Sequence, residues 1–71
     1  MDEIEIEQRV TLFYENKTYT FIKLSMGQLF NGYIESVANS TIMFKDDYIG
    51  IVPILKAEIE LIAYSKKGAK K

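Results

Sequence analysis

The residue that most restricts what this chain can become is Gly32, which lies inside the longest β-prone run, Leu29–Val37. Glycine weakens a strand interior, so it marks a bend, a bulge or a close approach of another backbone. The rest of the chain is cut into short pieces around this run. Residues 18–24 are β-branched and aromatic and read as a strand, followed by a turn at 25–28. After Val37 come a turn at 38–40 and a third strand at 41–45. Acidic residues are poor strand formers, so Asp46-Asp47-Tyr48 reads as a polar turn. Residues 51–55 are a fourth strand, Lys56-Ala57-Glu58 a corner, and residues 59–64 a fifth strand. Five short strands at this spacing predict a mainly β architecture, a small barrel or strongly bent antiparallel sheet hinged at Gly32.

At 71 residues the chain holds one core. A domain of this size buries only about 60% of its unfolded surface and usually needs a staple. No cysteine or histidine is present, which removes disulfides, thiolate metal sites and the commonest general base. Self-association is the staple that remains. Hydrophobic residues make up 48% of the chain but never run unbroken for the roughly 18 positions of a membrane span. The acidic start, Met1-Asp2-Glu3-Ile4-Glu5, lacks the basic region of a signal peptide. The expectation is a soluble, cytoplasmic protein with no membrane partner.

Residues 1–17 fit two descriptions. As a helix, Ile6, Val10, Phe13 and Tyr14 share a face and the acidic first turn suits the dipole. As an extra strand, Glu3 to Glu7 alternate at period two and residues 10–14 are β-prone. The helix is marginally favoured. At the other end, Lys66, Lys67, Lys70 and Lys71 form a basic tail over residues 66–71, which leaves residues 18–65 for the barrel.

Catalysis finds little footing. A serine nucleophile would need a lysine partner, and no Ser-x-x-Lys spacing occurs. Asp46-Asp47 is the one adjacent carboxylate pair beyond Asp2-Glu3, and it reads as a solvated turn rather than a Mg²⁺ site. Neither an enzyme nor a cofactor is expected. Tyr33 neighbours the glycine and faces away from Ile34. Aromatics interleaved with lysine on a sheet face make a platform for single-stranded RNA, although they are more often core or subunit contacts.

Residues 22–62 resemble the Sm/Lsm (Sm-like, Hfq-like) family. Ile22-Lys23-Leu24-Ser25-Met26-Gly27 is similar to its strand ending in Leu-x-x-Gly. Four residues then separate Gly27 from Gly32, with Phe30 two before the second glycine. Gly32-Tyr33-Ile34-Glu35-Ser36 resembles the run Gly-x-Ile-Glu/Asp-Ser, and Leu55-Lys56-Ala57-Glu58-Ile59 resembles Tyr-Lys-His-Ala-Ile. An unrelated five-stranded barrel of the SH3-like or OB type accommodates the same glycines.

The resemblance implies an Sm-like barrel whose fourth and fifth strands pair between subunits into a ring. It implies that the loops before strands three and five line a pore and hold a base, often uridine. Carried onto this chain, the RNA-binding residues are Asn39, Ser40, Thr41 and Lys56, with the lysine tail adding non-specific attraction. Asn39 falls where the family has an amide that reads a base edge, and Lys56 matches a loop lysine or arginine. Other positions depart from the pattern. Ala38 replaces a loop-organising Asp, Ser40 replaces the aromatic on which a base stacks, and Ala57 replaces a histidine or glycine. Pro53 removes a donor from the strand implied to pair with a neighbour. The expected function is an Sm-like module binding single-stranded RNA as a homo-oligomer. The alternative is an interaction module that keeps the fold and has lost the uridine pocket.

Overall fold

A computed structural model describes residues 1–65, and the lysine tail at 66–71 lies outside the described residues. Helix α1 (Glu3–Glu15) precedes β1 (Thr20–Leu24), β2 (Leu29–Val37), β3 (Thr41–Asp46) and β4 (Gly50–Leu55). A single 3₁₀ turn, Lys56–Glu58, then leads into β5 (Ile59–Tyr64). The strands form one antiparallel sheet in the order β4-β3-β2-β1-β5, so β4 and β5 are its two edges. The mainly β expectation is borne out, with the N-terminal segment helical.

The helix prevails over the strand because its apolar residues meet the sheet only at helical spacing. Ile6, Val10 and Phe13 are buried, whereas Ile4, which a strand would align with Ile6, is two-thirds exposed (66%). Burying each of the three is worth roughly 1.5–3 kcal/mol. The helix packs on β2, β5 and the 3₁₀ turn, and Arg9 Nη1 donates to the Ile62 carbonyl at 2.9 Å. Tyr14, expected on the buried face, stays at its margin and is 39% exposed. The C-terminus closes with Thr18 N–H donating to Phe13 O (3.0 Å) and Lys17 N–H to Tyr14 O (3.3 Å). This is a Schellman arrangement, and Lys17 occupies its left-handed position at φ 52°. That cap holds residues 17–18 out of the ladder, so β1 starts later than the sequence suggests.

Alternation builds the core: Thr20, Ile22 and Leu24 from β1 meet Ile42 and Phe44 from β3, Ile54 from β4 and Ile62 from β5. Gly32 pairs with both Thr20 and Asp46. A Cβ there would overlap the Lys45 carbonyl oxygen, 2.9 Å from its carbon and 3.1 Å from the Asp46 Cα. The sequence reading of a close backbone approach therefore holds. One ladder irregularity lies just beyond Gly32, between Ile34 and Ser36 in β2, and a second lies at the far end of β1, where the pairing with β5 shifts between Lys23 and Leu24. Such bulges add twist and bend the sheet around the core.

Asp46 corrects the expected solvated turn. It ends β3 facing inward and is buried, accepting from the backbone N–H groups of Asn31 (3.1 Å), Tyr48 (2.9 Å) and Ile49 (3.1 Å).

Candidate nucleic-acid interface

The β2–β3 turn closes with Ala38 N–H donating to Thr41 O at 2.8 Å, and Lys56 N–H donates to Ser40 O at 2.9 Å. This second bond ties the two predicted loops together. Asn39, Ser40 and Lys56 consequently line one cavity of about 220 Å³, floored by Ile6 and Leu55. Thr41 lies outside it, paired with Leu55 in the ladder. The far wall was not legible in the sequence: α1 brings Glu3 and Glu7 to the same cavity. Lys56 Nζ lies 3.2 Å from Glu7 Oε1, and the lysine side chain is only 11% exposed. The cavity thus offers an amide, a hydroxyl, carboxylates and an ammonium already engaged by one of them. No aromatic side chain lines it.

Aromatics gather elsewhere. Tyr14 and Lys17 at the end of α1, with Tyr33, Ile34 and Glu35 of β2 and Lys45 of β3, line a cleft of about 330 Å³, so two lysines there face one carboxylate. Tyr33 and Lys45 are cross-strand partners. Tyr19 meets the Tyr33 ring edge-on, with centroids 5.2 Å apart, and its hydroxyl donates to the Asp47 carboxylate. That hydrogen bond, aided by desolvation and by the Asp47 charge, pushes the Tyr19 phenol up to about 12. Asp46 feels opposed effects: burial raises its carboxyl, but the N–H donors of Tyr48, Ile49 and Asn31 prevail and hold it below the ordinary 3.8.

Charge pairing separates the two sites. Four of the nine basic residues belong to the tail, and of the other five, Arg9, Lys23 and Lys56 pair with Glu5, Glu60 and Glu7. Among the described residues, Lys17 and Lys45 form no salt bridge, and both line the tyrosine cleft. Sequence reasoning noticed Tyr14 and Tyr33 separately. Their meeting with two lysines depends on the helix docking against β2 and β3.

The ladder also fixes where the edge groups of β4 point. The Lys56–Ser40 bond and antiparallel alternation make Ile42–Ile54 and Phe44–Val52 the hydrogen-bonded pairs. Ile51 and Leu55 therefore direct their N–H groups outward, and Pro53 stands between them with none. The proline costs no internal bond.

No protein-family model matches the chain, and no curated protein matches its sequence. Solved structures do match. A crystal structure of Hfq, described as a pleiotropic translational regulator, aligns with TM-score 0.70 at 18% identity, over 80% of this chain and 93% of that one. An Hfq protein from Anabaena sp. aligns with TM-score 0.70 at 14% identity, over 87% and 98%. The fold is that of Hfq. At these identities the likeness to Hfq is one of backbone, matching the fold that the glycine spacing and the Gly-Tyr-Ile-Glu-Ser run implied. Among the described residues, this Hfq-like fold includes no helix long and apolar enough to cross a membrane.

Proposed function

We propose that the chain is a non-catalytic Sm-like module of the Sm/Lsm family that binds single-stranded RNA as a homo-oligomer. The carrying observation is the tyrosine cleft, where the described lysines without ion pairs meet two aromatic rings. Bases stack on tyrosine without sequence preference and phosphates take the lysines, each stacked base being worth about 1–3 kcal/mol. The cavity of Asn39, Ser40 and Lys56 is a second contact, at which a base edge meets amide and hydroxyl; Thr41 acts there only by shaping the loop. The lysine tail adds sequence-independent attraction. Assembly is supported by the two unpaired edges and by the exposed side chains of Ile51, Pro53 and Leu55 along β4.

Fluorescence anisotropy with labelled oligo(U) and oligo(A) tests this reading. Binding should appear at low salt and weaken as salt rises. Lys17→Ala and Lys45→Ala should each weaken it and shallow the salt dependence by about 0.7 per lost phosphate contact. Absence of binding at protein concentrations well into the micromolar range would end the RNA reading.

The second reading is an interaction module that keeps the fold and the oligomer. The Glu7–Lys56 pair favours it, because it occupies the cation that a loop site would offer RNA. Under this reading the salt-dependent binding is missing while native mass spectrometry still finds the oligomer.

A further inference from the structure

We infer that Glu7 sets the base preference of the loop cavity, turning it from uracil toward guanine; this inference rests on the RNA-binding reading above. An ionised carboxylate only accepts hydrogen bonds. Glu3 and Glu7 both line the cavity, so its helical wall is rich in acceptors. The group that would donate to a base oxygen, the Lys56 ammonium, is 3.2 Å from Glu7 Oε1 on a side chain 11% exposed. The Glu7 side chain is 51% exposed, so its carboxylate has room to turn toward a ligand at the cavity mouth.

The four bases meet this wall differently. Uracil shows acceptor oxygens on both sides of its single N3–H, and both would face carboxylate. Adenine and cytosine each show an amino group beside an acceptor nitrogen. Guanine alone places two donors side by side, N1–H and N2–H, which one carboxylate accepts in parallel. Its O6 remains for a donor such as the Asn39 amide, which lines the same cavity. The carboxylates also repel phosphate, so the base enters and the backbone stays outside. Side chains that meet a base edge in two parallel bonds discriminate on the order of tenfold in affinity.

The test titrates the full chain at low salt against labelled oligonucleotides of equal length: U-only, alternating U and A, and alternating U and G. The U/G oligomer should bind on the order of tenfold more tightly than oligo(U). Inosine in place of guanine, which lacks the N2 amino group, should forfeit most of that gain. Glu7→Gln, which introduces a donor and releases Lys56, should bring the two within about threefold. Glu3→Gln should narrow the gap less, and circular dichroism should confirm that both variants fold. Oligo(U) binding as tightly as U/G to the native chain, or a preference unchanged in Glu7→Gln, would overturn the inference. If all oligomers bind alike and Lys17→Ala weakens them all, the inference fails and the RNA reading stands. If nothing binds to the native chain or to Glu7→Gln, both fail.

Discussion

Gly32 and Asp46 are opposite one another across β2 and β3, and each sustains the pairing in its own way. The glycine leaves room for the Lys45 carbonyl, which belongs to the backbone of a central strand and has nowhere to retreat. Gly32→Ala should therefore destabilise by ~3 kcal/mol or more, at the upper end of overpacking costs. Thermal denaturation reads this directly, since 1 kcal/mol shifts the midpoint of so small a domain by about 4–8 °C. An unchanged midpoint would mean that the strands part more easily than their register suggests. Asp46 holds the following turn through three N–H donors. Asp46→Ala leaves them without their acceptor and should cost about 2–3 kcal/mol. Because its folded pKa lies below 3.8, its contribution is complete above that value and is lost as pH falls through the lower one. Acid titration of stability should show this loss in the native chain and a flatter profile in Asp46→Asn.

The helix is the element whose identity the sequence left open, and its end is where stability can be added. Lys17 occupies a left-handed position that costs a residue with a Cβ roughly 1–2 kcal/mol. Glycine avoids that cost but loses backbone freedom, so Lys17→Gly should stabilise by up to about 1 kcal/mol. The same change removes a cation from the tyrosine cleft, so higher stability should accompany weaker RNA binding. A loss of both would place the lysine's importance in folding rather than in the cleft. The strands were legible because inward and outward residues alternate and each run stops at a turn. Thr18 misled because its N–H is taken by the helix cap, whereas Tyr19, just short of β1, still accepts from the Ser65 N–H. Asp46 misled because its partners are supplied by the folded turn and by Asn31 on a neighbouring strand. At the site, Asn39, Ser40 and Lys56 were legible as loop residues from the resemblance. Glu7 was not, since its distance from Lys56 in sequence gives no hint that α1 crosses the loops.

For the whole molecule, ten acidic groups stand against nine basic ones, a net of −1, with four of the lysines gathered at the C-terminal end of the sequence. So small a net charge neither draws copies together nor drives them apart, and the proposed assembly relies on short-range contacts at the sheet edges. In the proposed assembly Pro53 leaves that contact one donor short. Pro53→Val should restore it and tighten the oligomer by about 0.5–1.5 kcal/mol per joint. Sedimentation on serial dilution measures this as a lower dissociation concentration, and a looser assembly would count against β4 as the joining edge. The proline has a protective side as well. A strand margin interrupted at its centre is a poor template for the continuous stacking that builds amyloid. The bare edge of a lone copy is thereby kept from seeding fibrils.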